Sequence, residues 1–167
     1  MPEATEEERD APARRDRVFL VVVDDSPERE VALKFACLRA RKSGGRVALL
    51  RVVEPEGLVE WAGVGAMLEE ERRQEAETLL SGLAAQVKEM TGGVPMLLIR
   101  EGEPREELLA LIEEDPRISI LVLAAAPGGH GPGPLITALT GRHLGRLKVP
   151  LTIVPGAMDD AELERVT

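Results

Sequence analysis

Val18-Phe19-Leu20-Val21-Val22-Val23-Asp24-Asp25-Ser26-Pro27 is the stretch that decides the fold of this chain. Its first six residues are apolar without a break and mostly β-branched, the pattern of a strand buried on both faces rather than one. Two acids then end the run. Ser26 fits an N-cap and Pro27 a first helical residue, where its missing N–H costs nothing. The strand therefore feeds straight into a helix, expected to reach about Ser43 and to stop at Gly44-Gly45.

The same alternation repeats outward from this stretch. Val47 to Val53 reads as a second strand, and Glu54 to Gly65 as a loop carrying the only tryptophan, Trp61. Trp61 and Met67, flanking Gly63 and Gly65, would form a lid or simply pack on the sheet. A long helix is expected over about Met67 to Met90, then a strand over Pro95 to Ile99. Gly102-Glu103-Pro104 opens a helix over Arg105 to Glu114, and Ile118 to Ala124 reads as the fourth strand. A loop of Gly and Pro follows from Pro127 to Pro134, then a helix over Leu135 to Leu147 and a last strand over Pro150 to Val154. Residues 1–16 read as a disordered polar tail, 17–155 as one domain, and 156–167 as an acidic C-terminal tail.

Five strands joined by four helices predict an α/β fold: a three-layer α/β/α arrangement around a parallel sheet of order 3-2-1-4-5, flavodoxin-like or Rossmann-like. In that order the winding reverses between the first and fourth strands, and ligands bind beyond the strand ends at such a reversal. The loops that matter are then Asp24 to Pro27 and Ala125 to Pro134.

Composition narrows the function. The chain has 167 residues, 44% apolar but only 2% aromatic, and a net charge of −9. Few aromatics leave no stacking platform for single-stranded nucleic acid, and the negative charge repels a phosphate backbone. A single cysteine, Cys37, excludes an internal disulfide and fits a reducing, cytoplasmic setting. No apolar run is long enough to span a membrane.

Taken together, Asp24-Asp25-Ser26 opening a helix, Val52-Val53-Glu-Pro closing the second strand, Gly102-Glu-Pro, and the Gly-rich loop after strand four resemble the universal stress protein family. The resemblance runs from about Arg17 to Pro155. It implies a homodimeric regulatory module, part of whose family binds ATP or AMP through an Asp at the end of strand one and a G-x2-G-x9-G-[ST] pattern after strand four. Asp24 matches the first element, Val52 or Val53 falls at the adenine contact, and Gly128 and Gly131 match the glycine pair. Gly141 keeps the last spacing, but Arg142 follows where the family has Ser or Thr. Aligned backwards from Pro150, the family's Gly-Ser falls instead on Thr137-Ala138, which keeps the last helix whole.

The residues support this chemistry from below. Glycines let backbone amides approach a phosphate, and Gly128, Gly129 and Gly131 exceed what one turn requires, although Pro132 and Pro134 remove two donors. Asp24 at a strand end would accept from an adenine amino group, or cap the following helix together with Ser26. Asp25 beside it repels a triphosphate unless a cation such as Mg²⁺ lies between. His130 would donate to a phosphate or stand in solvent. Cys37 reads as a small core residue.

Enzyme signatures are missing: no GxxxxGK[ST], no strained serine elbow, no metal-ligand spacing. The expectation is a binding module rather than an enzyme, acting on an unidentified regulatory protein. The alternatives are a pure interaction module of the same fold, or a slow ATP hydrolase built on Asp24 and Asp25. The last strand, Leu151-Thr152-Ile153-Val154, is too apolar for a bare edge. In the family it pairs with its twin across a two-fold axis, so self-association is expected here.

Overall fold

The computed structural model describes residues 17–55 and 64–167. The expected N-terminal tail, together with Trp61 and Gly63 of the expected lid, lies outside the described residues. Strands β1 (Val18–Val22), β2 (Arg46–Val53), β3 (Met96–Glu101), β4 (Ile118–Ala125) and β5 (Leu151–Pro155) form one sheet. Its order is β3-β2-β1-β4-β5 and every neighbouring pair is parallel, as the sequence predicts. The helices are α1 (Arg29–Ser43), α2 (Val64–Thr91), α3 (Pro104–Glu114), α4 (Pro134–Thr140) and α5 (Asp160–Val166).

The period-two geometry of a strand divides the core into two layers. Phe19, Val21 and Val23 pack with Ala36 and Cys37 of α1 and with Leu80 and Val87 of α2. Val18 and Leu20 point the other way, against Leu108 and Ile112 of α3 and Leu139 of α4. Because both faces of β1 are covered, apolar residues are needed at every position, and each buried Leu, Val or Phe contributes about 1.5–3 kcal/mol. Burial raises the Cys37 thiol to about 12, in keeping with a packing role.

Three local readings change in the structure. Ser26 does not cap α1. Its N–H and hydroxyl both donate to the Asp24 carboxylate, at 3.0 and 2.6 Å, in an Asx-type turn that precedes the helix; α1 begins at Arg29 after Glu28, with no side-chain cap. Helix α4 ends at Thr140 rather than Leu147, and a 3₁₀ turn at Leu144–Arg146 follows. Gly141 and Gly145 are poor helix formers. Arg146 also donates to both carboxylate oxygens of Glu106 at 2.8 Å, which draws this segment across α3.

The third change is at the C-terminus, where Asp159 to Thr167, expected to be a short acidic tail, carries helix α5. Asp159 and Glu162 cap its start reciprocally. Leu163 inserts into the layer beside α1 and is 1% exposed. Lys34 pairs with Asp160 at 3.0 Å, Lys42 with Glu164 at 3.5 Å, and Arg39 donates to the Thr167 carbonyl at 3.1 Å. The acids that read as a solvated tail thus lie along the basic edge of α1. Exposed pairs of this kind contribute little each, so the buried leucine is the main anchor.

Candidate functional site

Two openings flank the C-terminal end of β1, where the winding reverses. The larger is a cleft of about 830 Å³ between the ends of β1 and β2 and helix α2. Asp24, Asp25, Val52 and Val53 line it, together with Arg51 and Arg72. This volume falls within the range of about 300–1,000 Å³ usual for small-molecule pockets. The smaller opening lies between β1 and β4, is about 110 Å³, and is lined by Asp24, Ser26 and Arg29 on one side and Pro132, Gly133 and Leu135 on the other. Asp24 belongs to both.

Local chemistry places each of these groups. Arg29 donates to the Asp24 carbonyl at 2.5 Å, so backbone and side chain of Asp24 are both held. Arg51, the one charge in an otherwise apolar central run of β2, donates to the Val23 carbonyl at 3.0 Å and pairs with Asp25 at 3.2 Å. The Gly102 N–H donates to the Val53 carbonyl at 3.0 Å, tying the end of β2 to the turn before α3. Arg72 donates to the Glu54 carbonyl on the far wall. The cleft is thus lined by valines together with carboxylates and guanidinium groups.

The glycine loop follows Ala125, the last residue of β4. Gly128 and Gly131 have φ of +103° and +86°, conformations that L side chains rarely adopt, while a Cβ on either would meet nothing within 4 Å. Glycine is required there by the turn and not by a close neighbour. The loop is closed by the Ala126 N–H donating to the Pro132 carbonyl at 3.1 Å. Among the described residues, the amides of Gly128, Gly129, His130 and Gly131 donate to no protein group, and all four residues are exposed. An anion approaching the loop from solvent would meet these donors.

The sequence-predicted residues therefore separate into groups. Asp24, Asp25, Val52 and Val53 meet in the large cleft; Ser26 meets Asp24 in the small one. Ala125 roots the loop of Gly128, Gly129 and Gly131. Thr137 sits in the first turn of α4 beside that loop, its hydroxyl donating to the Gly133 carbonyl at 2.8 Å. Gly141 and Arg142 lie past the opposite end of α4 and line neither opening. Asp25 turns to Arg51 and Asp24 to Ser26, and among the described residues no three His, Cys, Asp or Glu are grouped to hold a metal ion by themselves.

Sequence reasoning missed Arg29, Arg51 and Gly156. For Arg51 a signal existed, since a charge inside a buried strand needs a partner. The Gly156 N–H donates to the Ala125 carbonyl at 2.9 Å, a contact 31 residues apart that no pattern announces.

A doubly wound parallel sheet with its crevice at the reversal defines the flavodoxin-like α/β class. Within that class, the universal stress protein family matches residues 17–155, and the chain belongs to that family. Solved structures of the same fold include the universal stress protein UspA from Lactobacillus plantarum, 17% identical, with 84% of this chain and 98% of that one covered at a TM-score of 0.70. A universal stress protein in complex with cAMP is 18% identical over 84% and 98% at a TM-score of 0.56. A universal stress protein family protein from Arabidopsis thaliana with AMP bound is 14% identical over 87% and 94% at 0.57. No curated protein matches. Among the described residues no helix is long and apolar enough to cross a membrane.

Proposed function

We propose that this protein is a regulatory module, not an enzyme, whose state depends on an adenine nucleotide held at the end of β1. The observation that carries this reading is the cleft of about 830 Å³, lined by Val52 and Val53 together with Asp24. An adenosine group fits its size and chemistry: valines for the base, and carboxylates to accept from its amino and hydroxyl groups. The phosphate would turn toward the loop of Gly128, Gly129 and Gly131, whose amides face solvent. One phosphate suits this site better than three, because Asp24 and Asp25 repel additional charge with no cation between. Two relatives of the same fold, named for cAMP and AMP complexes, support a monophosphate.

The test is calorimetric titration with AMP, ATP and adenosine, alongside mass spectrometry of anything released when the purified protein is denatured. AMP is expected to bind and to raise the unfolding midpoint as its concentration passes the dissociation constant. Absence of heat and of any midpoint shift with millimolar AMP and ATP would falsify the reading.

A second reading is a pure protein-interaction module with a closed nucleotide site. It is favoured by the crevice between β1 and β4, only about 110 Å³ and walled by Pro132. The same titration separates the two readings.

We further propose a homodimer through β5. This strand has one paired edge, against β4, and Ile153 on it is 41% exposed. An apolar edge of this kind is a template for a second strand.

A further inference from the structure

Gly156 follows β5 at the point where three parts of the molecule meet. A Cβ placed on it would lie 2.3 Å from the carbonyl oxygen of Ala125, 3.0 Å from Cβ of Glu28 and 3.2 Å from Cδ of Pro127. Ala125 ends β4, Pro127 opens the glycine loop, and Glu28 leads into α1. The nearest of these atoms is backbone, so an added methyl group cannot be relieved by swinging a side chain aside. The same oxygen accepts the Gly156 N–H at 2.9 Å. Gly156 therefore pins the loop's root by a hydrogen bond and fits there only because it has no side chain.

We propose that Gly156 is a positioning residue for the phosphate-facing loop, setting through Ala125 where the amides of Gly128 to Gly131 stand relative to the adenosine cleft. This rests on the nucleotide reading above. Among the described residues, the loop from Pro127 to Gly131 has no hydrogen bond to the rest of the protein. Its orientation is thus inherited from its two ends. Those ends are joined to each other by the Ala126–Pro132 bond of 3.1 Å, so a shift at Ala125 passes to both. Gly156 does not line the cleft that would hold adenosine. The atom met first is the Ala125 carbonyl oxygen, so a disturbance there is expected to reach the phosphate more than the base.

Adenosine and AMP differ by the phosphate alone, and the comparison separates positioning from general damage. In Gly156→Ala, AMP affinity measured by calorimetry is expected to fall roughly tenfold or more, the loss of one charge-assisted hydrogen bond, while adenosine affinity stays within about twofold. Gly145→Ala, where a Cβ meets nothing within 4 Å, is expected to leave both ligands unchanged. Equal losses for AMP and adenosine, or no loss for either, overturn the proposal. If the unaltered protein binds neither ligand, the nucleotide reading itself fails and this proposal with it, a result distinct from the equal-loss outcome. Should Gly156→Ala not fold, amide exchange at Gly156 in the unaltered protein decides the matter. AMP is expected to slow that exchange and adenosine to leave it unchanged; equal protection by both overturns the proposal.

Discussion

Leu163→Ala tests whether the C-terminal segment belongs to the fold. Leu163 is 1% exposed and packs in the layer formed by α1, α2 and the sheet. Removing a fully buried leucine side chain forfeits its transfer free energy and leaves a cavity, together about 2–5 kcal/mol. Here the lower part of that range applies. Helix α5 is a seven-residue terminal element, so the site can collapse, or the helix can leave, more easily than in a central strand. The loss is also bounded by the docking free energy of α5, because once the helix detaches no further stability can be lost there. About 2–3 kcal/mol corresponds to a fall in unfolding midpoint of roughly 4–12 °C for a domain of this size. Urea denaturation followed by circular dichroism is the assay, with Val166→Ala as control, since Val166 is 48% exposed. Chain truncated after Ala157 should lose about as much as Leu163→Ala or slightly more. A change below about 0.5 kcal/mol for Leu163→Ala, the range of an ordinary surface substitution, would refute the argument that α5 is docked through this residue.

Further predictions concern charge, the thiol and the sheet edge. The Arg146 guanidinium holds the Glu106 carboxyl down to about 2, from an ordinary value of 4.5. A depressed folded-state value means stability fully present above pH 4.5 and lost as pH falls toward 2. Urea midpoints measured across that window should therefore decline less steeply in Glu106→Gln than in the unaltered protein, and identical slopes would contradict the clamp. The Cys37 thiol, pushed up to about 12, is ~0.01% thiolate at pH 8, so a thiol reagent should label it only when urea opens the protein. Rapid labelling of the native state would show α1 to be loosely packed. Ile153→Lys should turn the proposed dimer into a monomer by sedimentation without lowering the unfolding midpoint of the protomer, and a dimer that survives places the contact elsewhere.

Much of the fold was legible because it is written in local chemistry. The unbroken apolar run at Val18 to Val23, and the run at Ile118 to Ala124 interrupted only by Ser119, read as strands covered on both faces, and glycines at 44, 45, 92 and 93 mark where α1 and α2 stop. The alternation of such runs with helices constrains the topology, since parallel neighbours need crossovers of one hand. The residues of the large cleft were readable for the same reason: Asp24, Asp25, Val52 and Val53 follow or end their strands, and the winding order brings those ends together.

What stayed hidden depends on contacts between distant residues. The acids of α5 read as a solvated tail, because a seven-residue helix with one buried position has no detectable period; only α1, more than 120 residues earlier, makes Leu163 a core residue and Lys34 a partner for Asp160. Helix α4 stops at Thr140, just before Gly141, and Arg146 beyond it reaches Glu106 on another helix, a pairing that no local pattern announces. The need for glycine at 156 arises from a carbonyl at the end of β4, and the width of the crevice beside Pro132 from how two loops settle against each other. Periodicity and propensity decide which segments become strands and helices, because those choices depend on neighbours within a few residues. The volumes of the openings and the pairing of side chains across them depend on packing between elements, and that belongs to the tertiary structure alone.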